Sequence, residues 1–327
     1  MKLVRFRVDC RAARHRRVGV LRDGSVIDVT AAHRALLRAE SGASMTRAKT
    51  VAEAVTPPSM IDILRTGDRA FEVVKRCETA HTDGILPSIP EQRVVYDRTE
   101  VTLLSPLERP NTLRDCSVYE RHLCNCRGIE PGELPDAYYE YPHYYSGNPG
   151  AVVDPNTDVV WPSSATAFDF ELEIAAVIGR QGRNINPAAA EEYIAGFTVF
   201  NDFTARDIQG ETKPLKLGPS KSKDFANGLG PSLVTADSID PTGLRTVVRV
   251  NGEQWSTNTT GGMTHSWGEI LAYVSDGVTI QPGDVVGSGT VPQSCSLELD
   301  RWLQPGDRLE LEIEGIGTLA HTVVEPS

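Results

Sequence analysis

The sequence lacks the features that mark membrane and nucleic-acid-binding proteins. No apolar run approaches the length of about 18 residues that a membrane-spanning helix needs. Basic residues are in the minority, because 33 Lys and Arg stand against 44 Asp and Glu, for a formal net charge of −11. Nucleic acids and anionic membranes bind clustered Lys and Arg, so this charge balance argues against both as partners. A small molecule or a cation is the expected ligand.

Closely spaced cysteine pairs of the C-x-x-C type are also absent among the six cysteines. No apolar leader with a cleavage site is evident, so we expect reduced thiols and a cytoplasmic location. Cys124 and Cys126, one residue apart, raise the question of zinc. Structural zinc sites usually have two spaced pairs of ligands, which favours ordinary packing cysteines here.

The chain is long enough to bury a sizeable core, since it has 327 residues of which 40% are hydrophobic. Its first part predicts strands joined by an Asp23-Gly24 hairpin turn, with a solvated basic tip at 11–17, and then helices separated by Pro57-Pro58. A proline-rich extended stretch follows. We therefore predict a small N-terminal domain over 1–100 and a larger domain over 101–327.

The larger domain has the pattern of β structure with few long helices. "NPAAAEEYIAG" predicts a helix that Asn186 caps and Gly196 ends, and "SWGEILAYVSDG" predicts a second helix. Two identical turns, "QPGD" at 281–284 and 304–307, each precede an apolar strand. The sequence as a whole predicts an α+β fold that is predominantly β.

The stretch "FDFELEIAAVIGR", residues 168–180, alternates apolar and acidic residues at its start. In a strand, this alternation places Asp169, Glu171 and Glu173 on one face, with neighbouring carboxylates roughly 7 Å apart. Poorly solvated carboxylates at that distance repel one another and resist ionisation. A bound cation would relieve the repulsion, so the pattern indicates a cation site.

Two further stretches contain polar residues that are candidates for a functional site. Asp115 and His122 are seven residues apart, which on a helix puts them on one face, although a solvated surface helix has the same spacing. A strand-like run ends at Asp202 and is followed by Arg206 and Gln209. These residues either line a pocket or form a helix cap and a surface ion pair.

Lys221 and Lys223 lie among Gly-Pro turns, where a lysine is either aimed at an anionic ligand or simply solvated. Carboxylate oxygens without paired Cys or His ligands favour Mg²⁺, Mn²⁺ or Ca²⁺ over zinc. The acidic residues that we consider together for such a cation are Asp115, Glu171, Glu173 and Asp202.

Several motifs, in this order, resemble the fumarylacetoacetate hydrolase family: "RDCSVYERH", "FDFELEIAAVIGR", "GFTVFNDFTARDIQ", "KSKDFANGLGPSLVT", "GSGT" and "LELDRWLQPGD". The leading strands are similar to the small N-terminal domain of the longer members. The resemblance implies a fumarylacetoacetase-like mixed β-sandwich roll after that small domain. It also implies a homodimer.

The resemblance implies functional roles for a set of residues in this sequence. It implies Mg²⁺ or Mn²⁺, with Ca²⁺ as a further candidate, held by Asp115, Glu171, Glu173 and Asp202, while Asp169 lies beyond the ion's reach. His122 matches the catalytic base, Glu298 matches the glutamate that orients this base, and Lys223 matches a lysine that assists catalysis. The positions that match substrate contacts are Arg206, Gln209, Lys223, Thr290 and Tyr145.

The activity that the resemblance implies is metal-dependent hydrolysis of a carbon–carbon bond in a 1,3-diketo or 2-oxo acid, such as an acylpyruvate or fumarylacetoacetate. His122 would activate water, and the cation would stabilise the departing enolate. The alternatives are a 2-oxo acid decarboxylase, an isomerase or tautomerase, or a hydratase of the same family, and a non-catalytic cation-binding protein. Cys116, Ser117 and Asn227 depart from the family's usual residues near the pocket, which leaves the substrate open.

Overall fold

Strands outnumber helices in the computed structural model, which describes residues 1–8, 15–90 and 92–326. The strands are β1 (Lys2–Val8), β2 (Arg17–Arg22), β3 (Ser25–Asp28), β4 (Val95–Asp97), β5 (Val101–Leu104), β6 (Leu113–Cys116), β7 (Tyr144–Ser146), β8 (Val152–Val153), β9 (Thr157–Val160), β10 (Phe168–Asp169), β11 (Leu172–Ile178), β12 (Ile194–Asp202), β13 (Thr204–Ala205), β14 (Asn227–Thr235), β15 (Arg245–Val250), β16 (Glu253–Thr259), β17 (Val285–Gly287), β18 (Arg308–Ile313) and β19 (Gly317–Val324). The α-helices are α1 (Val29–Ser41), α2 (Met45–Val55), α3 (Met60–Thr66), α4 (Asp68–Thr82), α5 (Glu120–Arg127), α6 (Asp136–Glu140), α7 (Arg206–Thr212), α8 (Trp267–Ser275) and α9 (Ser296–Leu299).

A large mixed sheet is the centre of the fold. Within the described ranges it has 12 strands in the order β4-β3-β2-β1-β14-β12-β11-β17-β6-β7, with β5 also on β1 and β8 also on β14. A second sheet has the order β16-β15-β18-β19-β9, and β10 pairs with β13 alone. The prediction of an α+β, predominantly β fold is confirmed.

Strand β11 is buried along its whole length, and its alternation divides its side chains between two cores. Its even-numbered residues, such as Ile174, pack with Val248 and Leu311 of the second sheet. On the other face, Ala175 and Val177 pack with apolar residues of α1, α3 and α4. Burial of each Val, Leu or Ile side chain of β11 stabilises the fold by about 1.5–3 kcal/mol. Apolar packing on both faces therefore holds β11 rigidly in place.

Several local predictions are confirmed. The β2–β3 hairpin turns at Asp23 and Gly24, whose φ angles of 47° and 77° are both positive, as a type I′ turn requires. The predicted helix in "SWGEILAYVSDG" is α8, and a capping box of Ser266 and Glu269 begins it. In each "QPGD" turn the Asp side chain accepts a hydrogen bond from the Gln N–H, at 3.0 Å in the first turn and 2.7 Å in the second.

Two predicted elements differ from the structure. The segment that Asn186 caps is a 3₁₀ helix, Pro187–Tyr193, and Gly196 lies inside β12 rather than at a helix end. Pairing with β11 and β14 takes over from Ile194 onward, so no helical turn can continue there. The stretch 168–180 is also not one strand, because β10 pairs with β13 and the main sheet is joined only from Leu172.

The predicted boundary near residue 100 falls within a continuous sheet, because Lys2 of β1 pairs with Val234 of β14. The division into two domains stays a prediction. Cys10 and residues 11–14 of the predicted hairpin tip lie outside the described residues. In the part of the chain that the structure describes, no helix has the length and apolar character to span a membrane.

Candidate active site

Three buried carboxylates converge where β6, β17, β11 and β12 lie side by side. On β17, Gly287 stands opposite Asp115 of β6 on one side and Ala175 of β11 on the other. Glu173 is two residues before Ala175, and Asp202 ends β12, the next strand. One oxygen atom from each of Asp115, Glu173 and Asp202 lies within 4.8 Å of the others. We call these three residues the open carboxylates.

Gly287 makes this convergence sterically feasible. A Cβ atom at this position would lie 2.7 Å from Asp115 Oδ1 and 2.8 Å from Glu173 Oε2. Both separations are shorter than ordinary carbon–oxygen contacts, so any side chain here would push the carboxylates apart. The glycine therefore serves the site by leaving space.

Each open carboxylate has one oxygen atom with no hydrogen-bond donor among the described residues: Asp115 Oδ1, Glu173 Oε1 and Asp202 Oδ1. Buried oxygen atoms without a donor are costly, typically by about 1–3 kcal/mol each. Burial and the nearby Asp115 raise the pKa of Glu173 well above its usual value, and burial also raises the pKa of Asp115 and Asp202. Convergent oxygen atoms of this kind fit a hard divalent cation such as Mg²⁺ or Mn²⁺.

The other two carboxylates of the acidic stretch, Asp169 and Glu171, have cationic partners, and we call them the paired carboxylates. Arg206 donates from Nε to Asp169 Oδ2 and from Nη2 to Glu171 Oε1, both at 2.6 Å. Lys223 Nζ donates to Glu171 Oε2 and to Asp202 Oδ2. Asp169 Oδ1 also accepts the N–H of Ser296 at 2.6 Å.

These contacts keep Glu171 charged. Burial works against the ionised carboxylate, but Lys223, Arg206 and His122 outweigh it and lower the pKa of Glu171. Burial likewise disfavours the ammonium group, but Asp202 and Glu171 raise the pKa of Lys223. Glu171 lies outside the close group of open carboxylates, and both of its oxygen atoms are in ion pairs. Its assignment as a metal ligand stays a prediction.

His122 lies on α5 at the edge of this cluster. Its Nδ1 donates to Glu298 Oε2 at 2.7 Å, and Asn125 Nδ2 donates to the second oxygen of Glu298 at 2.8 Å. The other ring nitrogen, Nε2, is 4.0 Å from Glu171 Oε1. Burial alone would lower the pKa of His122, but hydrogen bonds to Cys295 and Glu298 raise it to about 10. The structure thus brings His122 and Glu298 together as the resemblance implied.

The idea that Asp115 and His122 share a helix face is wrong. Asp115 is on β6, and α5 begins only at Glu120. Asp115 is held in its strand because β6 pairs in parallel with β17, and the chain then turns so that Val118 N–H reaches Ser288 O at 3.1 Å. The two residues approach the site from separate elements.

The remaining predicted residues lie in or around the same site. Tyr145 donates from its hydroxyl group to Asp202 Oδ2 at 2.7 Å. Gln209 accepts a hydrogen bond from Arg206 Nη1 at 3.0 Å. Thr290 is buried directly after Gly289, whose N–H reaches Glu173 Oε2 at 2.9 Å. Their roles in substrate binding stay predictions.

Sequence reasoning missed Gly287, Asn125 and the cysteines beside His122. Asn125 is three residues after His122, a helical spacing that puts both side chains on one face. Cys126 and Cys295 approach His122 together with Glu298, so the interpretation of Cys126 as a packing residue is incomplete. No spacing signal links Cys295 to Cys126, since they are far apart in the chain.

Comparisons with known proteins place this site in a family. The family model for the fumarylacetoacetate (FAA) hydrolase C-terminal region matches residues 114–324. The chain is 31% identical over 274 residues to a Bos taurus protein named oxaloacetate tautomerase FAHD2A, mitochondrial, covering 83% of this chain and 82% of that protein. The chain therefore belongs to the fumarylacetoacetate hydrolase family.

Two solved structures are similar over the full length of both chains. A fumarylacetoacetate hydrolase from the psychrophilic Exiguobacterium antarcticum has a TM-score of 0.70 and 26% identity, with 100% of each chain covered. A maleylpyruvate hydrolase from Sphingobium sp. SYK-6, in complex with manganese(II) ion and pyruvate, has a TM-score of 0.68 and 21% identity, also with 100% covered. The second likeness shows the fold alone. The prediction of an enzyme of this family, hydrolytic or related in activity, is confirmed.

Proposed function

We propose that this protein is a divalent-cation-dependent hydrolase that cleaves a carbon–carbon bond in a 2-oxo or 1,3-diketo acid. One observation carries the proposal: a buried histidine oriented by a glutamate lies 4.0 Å from Glu171, in the same site as three carboxylates that each have one oxygen atom without a donor among the described residues. This arrangement combines a candidate base with a candidate cation site, the two parts that such a cleavage needs. A non-catalytic cation-binding protein would have no need of the oriented base.

The open carboxylates Asp115, Glu173 and Asp202 would hold the cation, with Mg²⁺ or Mn²⁺ as the preferred ions and Ca²⁺ as a further candidate. When bound, the cation would polarise the substrate's oxygen atoms, stabilise negative charge that develops on them and, by its own charge, lower the pKa of His122. Glu171 would join as a further ligand if Lys223 shifted towards a substrate.

The protein's own residues supply the proton chemistry. Glu298 accepts a hydrogen bond from the Nδ1–H group of His122. The other ring nitrogen, Nε2, is therefore the one that takes a proton from water. The water oxygen then bonds to the carbonyl carbon, and the carbon–carbon bond breaks with its electron pair on the departing enolate carbon. His122 returns its proton to that carbon, and the other fragment leaves as a carboxylic acid. Lys223, which is buried, and Arg206, which is partly buried, both contact Glu171 and would bind the substrate's carboxylate and carbonyl oxygen atoms.

Oxaloacetate tautomerisation is a second candidate, favoured by the 31% identity to the Bos taurus tautomerase over 83% of this chain. It uses the same groups, because a base that accepts a proton from water can also move one between carbon and oxygen. The two reactions differ in whether a carbon–carbon bond breaks. Decarboxylation and hydration are related outcomes of the same enolate chemistry.

A substrate screen tests the proposal. The protein, loaded with Mg²⁺ or Mn²⁺, is incubated with acylpyruvates, fumarylpyruvate, fumarylacetoacetate and oxaloacetate, and the products are identified by mass spectrometry and by NMR of the keto and enol forms. We expect cleavage of at least one diketo acid and its loss in His122→Ala. His81→Ala, a histidine of α4 outside the site, is the matched control. If no diketo acid is cleaved and only the keto–enol exchange of oxaloacetate is accelerated, the tautomerase replaces the hydrolase.

The homodimer and the cytoplasmic location stay predictions. Light scattering on the eluting protein tests the first, and imaging of the full-length tagged protein in its own cells tests the second.

A further inference from the structure

A second group of potential metal ligands lies on the other side of His122. Helix α5 carries His122 and Cys126, four residues apart and therefore on one face. Cys295 immediately precedes α9, and Glu298 lies in that helix. One ligand atom from each of these four residues lies within 4.8 Å of the others. We call them the thiol cluster.

The distances inside the thiol cluster are close to those of a tetrahedral zinc site. Cys126 Sγ is 3.7 Å from Nδ1 of His122 and 3.9 Å from Nε2, and Cys295 Sγ is 3.4 Å from Glu298 Oε2. Zinc bonds of about 2.0–2.3 Å in tetrahedral geometry put ligand atoms about 3.3–3.8 Å apart. The exception is the 2.7 Å contact between His122 Nδ1 and Glu298, which must open by about half an ångström.

The chemistry of the thiol cluster differs from that of the open carboxylates. Two thiols and an imidazole are soft or borderline ligands, which select Zn²⁺ over Mg²⁺ and Mn²⁺. Cys295 is fully buried, whereas Cys126 is only partly buried, so an ion would reach the cluster from the side of Cys126. Cys124, on the same helix, faces away and donates from Sγ to Glu130 O at 3.5 Å.

We propose that His122, Cys126, Cys295 and Glu298 form a zinc site whose occupation switches off the base. Zinc on Nδ1 would displace the proton now given to Glu298, so the neutral ring would keep its remaining proton on Nε2. That nitrogen would then have no lone pair with which to accept a proton. This inhibitory consequence rests on the proposed function of His122, whereas the binding of zinc does not.

Cobalt spectroscopy tests the site without reference to activity. The full chain is kept reduced, the carboxylate site is saturated with Mg²⁺, and Co²⁺ is titrated in. We expect one equivalent to produce a thiolate-to-cobalt charge-transfer band in the near ultraviolet, which Zn²⁺ abolishes by competition. Cys126→Ser should weaken cobalt binding at least about 100-fold, whereas the matched control Cys124→Ser should bind as the unaltered protein does. No band in the unaltered protein, or an equal band in Cys126→Ser, would overturn the proposal.

An activity measurement then separates the two proposals. Zinc should inhibit the unaltered protein reversibly, with recovery on adding a chelator and restoring Mg²⁺, and Cys126→Ser should need at least about 100-fold more zinc for the same fractional inhibition. A cobalt band that depends on Cys126, combined with undiminished turnover in zinc, would contradict the role of His122 as the base while the metal site stands. Inhibition that is identical in Cys126→Ser and the unaltered protein would place the inhibitory zinc elsewhere and overturn the switch.

Discussion

The open and the paired carboxylates are neighbours in the same site, yet their surroundings are opposite. Asp169 and Glu171 receive hydrogen bonds from Arg206, and Glu171 also from Lys223. Among the described residues, no cationic side chain is bonded to Asp115 or Glu173, whereas Asp202 accepts from Lys223 through one oxygen atom and keeps the other without a donor. The pKa of Glu171 is lowered below its usual value, whereas that of Glu173 is raised well above it.

This difference indicates where an external cation is needed. The protein provides its own positive charge for the paired carboxylates, so a metal ion there would compete with Arg206 and Lys223. At the open carboxylates a metal ion would replace protons and would meet oxygen atoms that have no other partner. Acidity alone therefore does not mark a metal ligand, and an oxygen atom for which the described residues supply no donor matters as much.

The largest expected effect is on metal affinity at the open carboxylates. Glu173→Gln and Asp115→Asn each remove one charged ligand, so we expect Mn²⁺ affinity to fall at least about 1,000-fold, or about 4 kcal/mol. Isothermal titration calorimetry of the chelator-treated protein measures the Mn²⁺ affinity. Arg180→Gln, at the exposed end of the stretch 168–180, is the control. A loss below tenfold in both variants would show that the ion binds elsewhere.

The next prediction concerns the free energy of unfolding in the absence of metal. Its expected change has opposite signs for the paired and the open carboxylates. Glu171→Gln removes the carboxylate that pairs with both Lys223 and Arg206, so we expect the free energy of unfolding to fall by about 3 kcal/mol. Glu173→Gln should instead raise it by about 1 kcal/mol, because the amide keeps an acceptor for Gly289 N–H and adds a donor for Asp115. Urea unfolding in the presence of a chelator measures both. The same sign in both variants would contradict the division.

Adding metal should stabilise only a protein whose open carboxylates are intact. Mn²⁺ at 100 times its dissociation constant is expected to raise the unfolding free energy of the unaltered protein by about 2.7 kcal/mol. The same concentration should add almost nothing to Glu173→Gln. Thermal unfolding with and without the ion provides the measurement, and an equal gain in both proteins would show that the stabilisation does not come from this site.

The smallest effect on the metal is expected at Asp169. Its oxygen atoms are taken by Arg206 and by the N–H groups of Ser296 and Leu297, so Asp169→Asn should change Mn²⁺ affinity by less than about tenfold. The same titration used for Glu173→Gln reports it. A loss as large as that of Glu173→Gln would place Asp169 among the ligands.

Much of the local structure could be predicted because its causes are local. The Asp23-Gly24 turn and the Ser266 cap depend on residues within a few positions of each other. The segment after Asn186 was predicted as a longer helix because its composition favours one, but strand pairing across the sheet prevailed from Ile194. Local preferences are worth a few tenths of a kcal/mol per residue, less than the packing and hydrogen bonds of a central strand.

In the candidate site, the residue types that carry the chemistry can be recognised from their order along the chain. The alternation at 168–174 marked an acidic face, and the ordered motifs related His122, Glu298 and the carboxylates to one family. Which carboxylates have partners depends on the folded chain, because Arg206 and Lys223 contact Glu171 from positions whose spacing in the sequence does not predict the contacts. The folded chain also brings Cys295 to Cys126 beside His122. The physical reason is that charge pairing and metal coordination depend on distances of a few ångströms, which the whole fold sets.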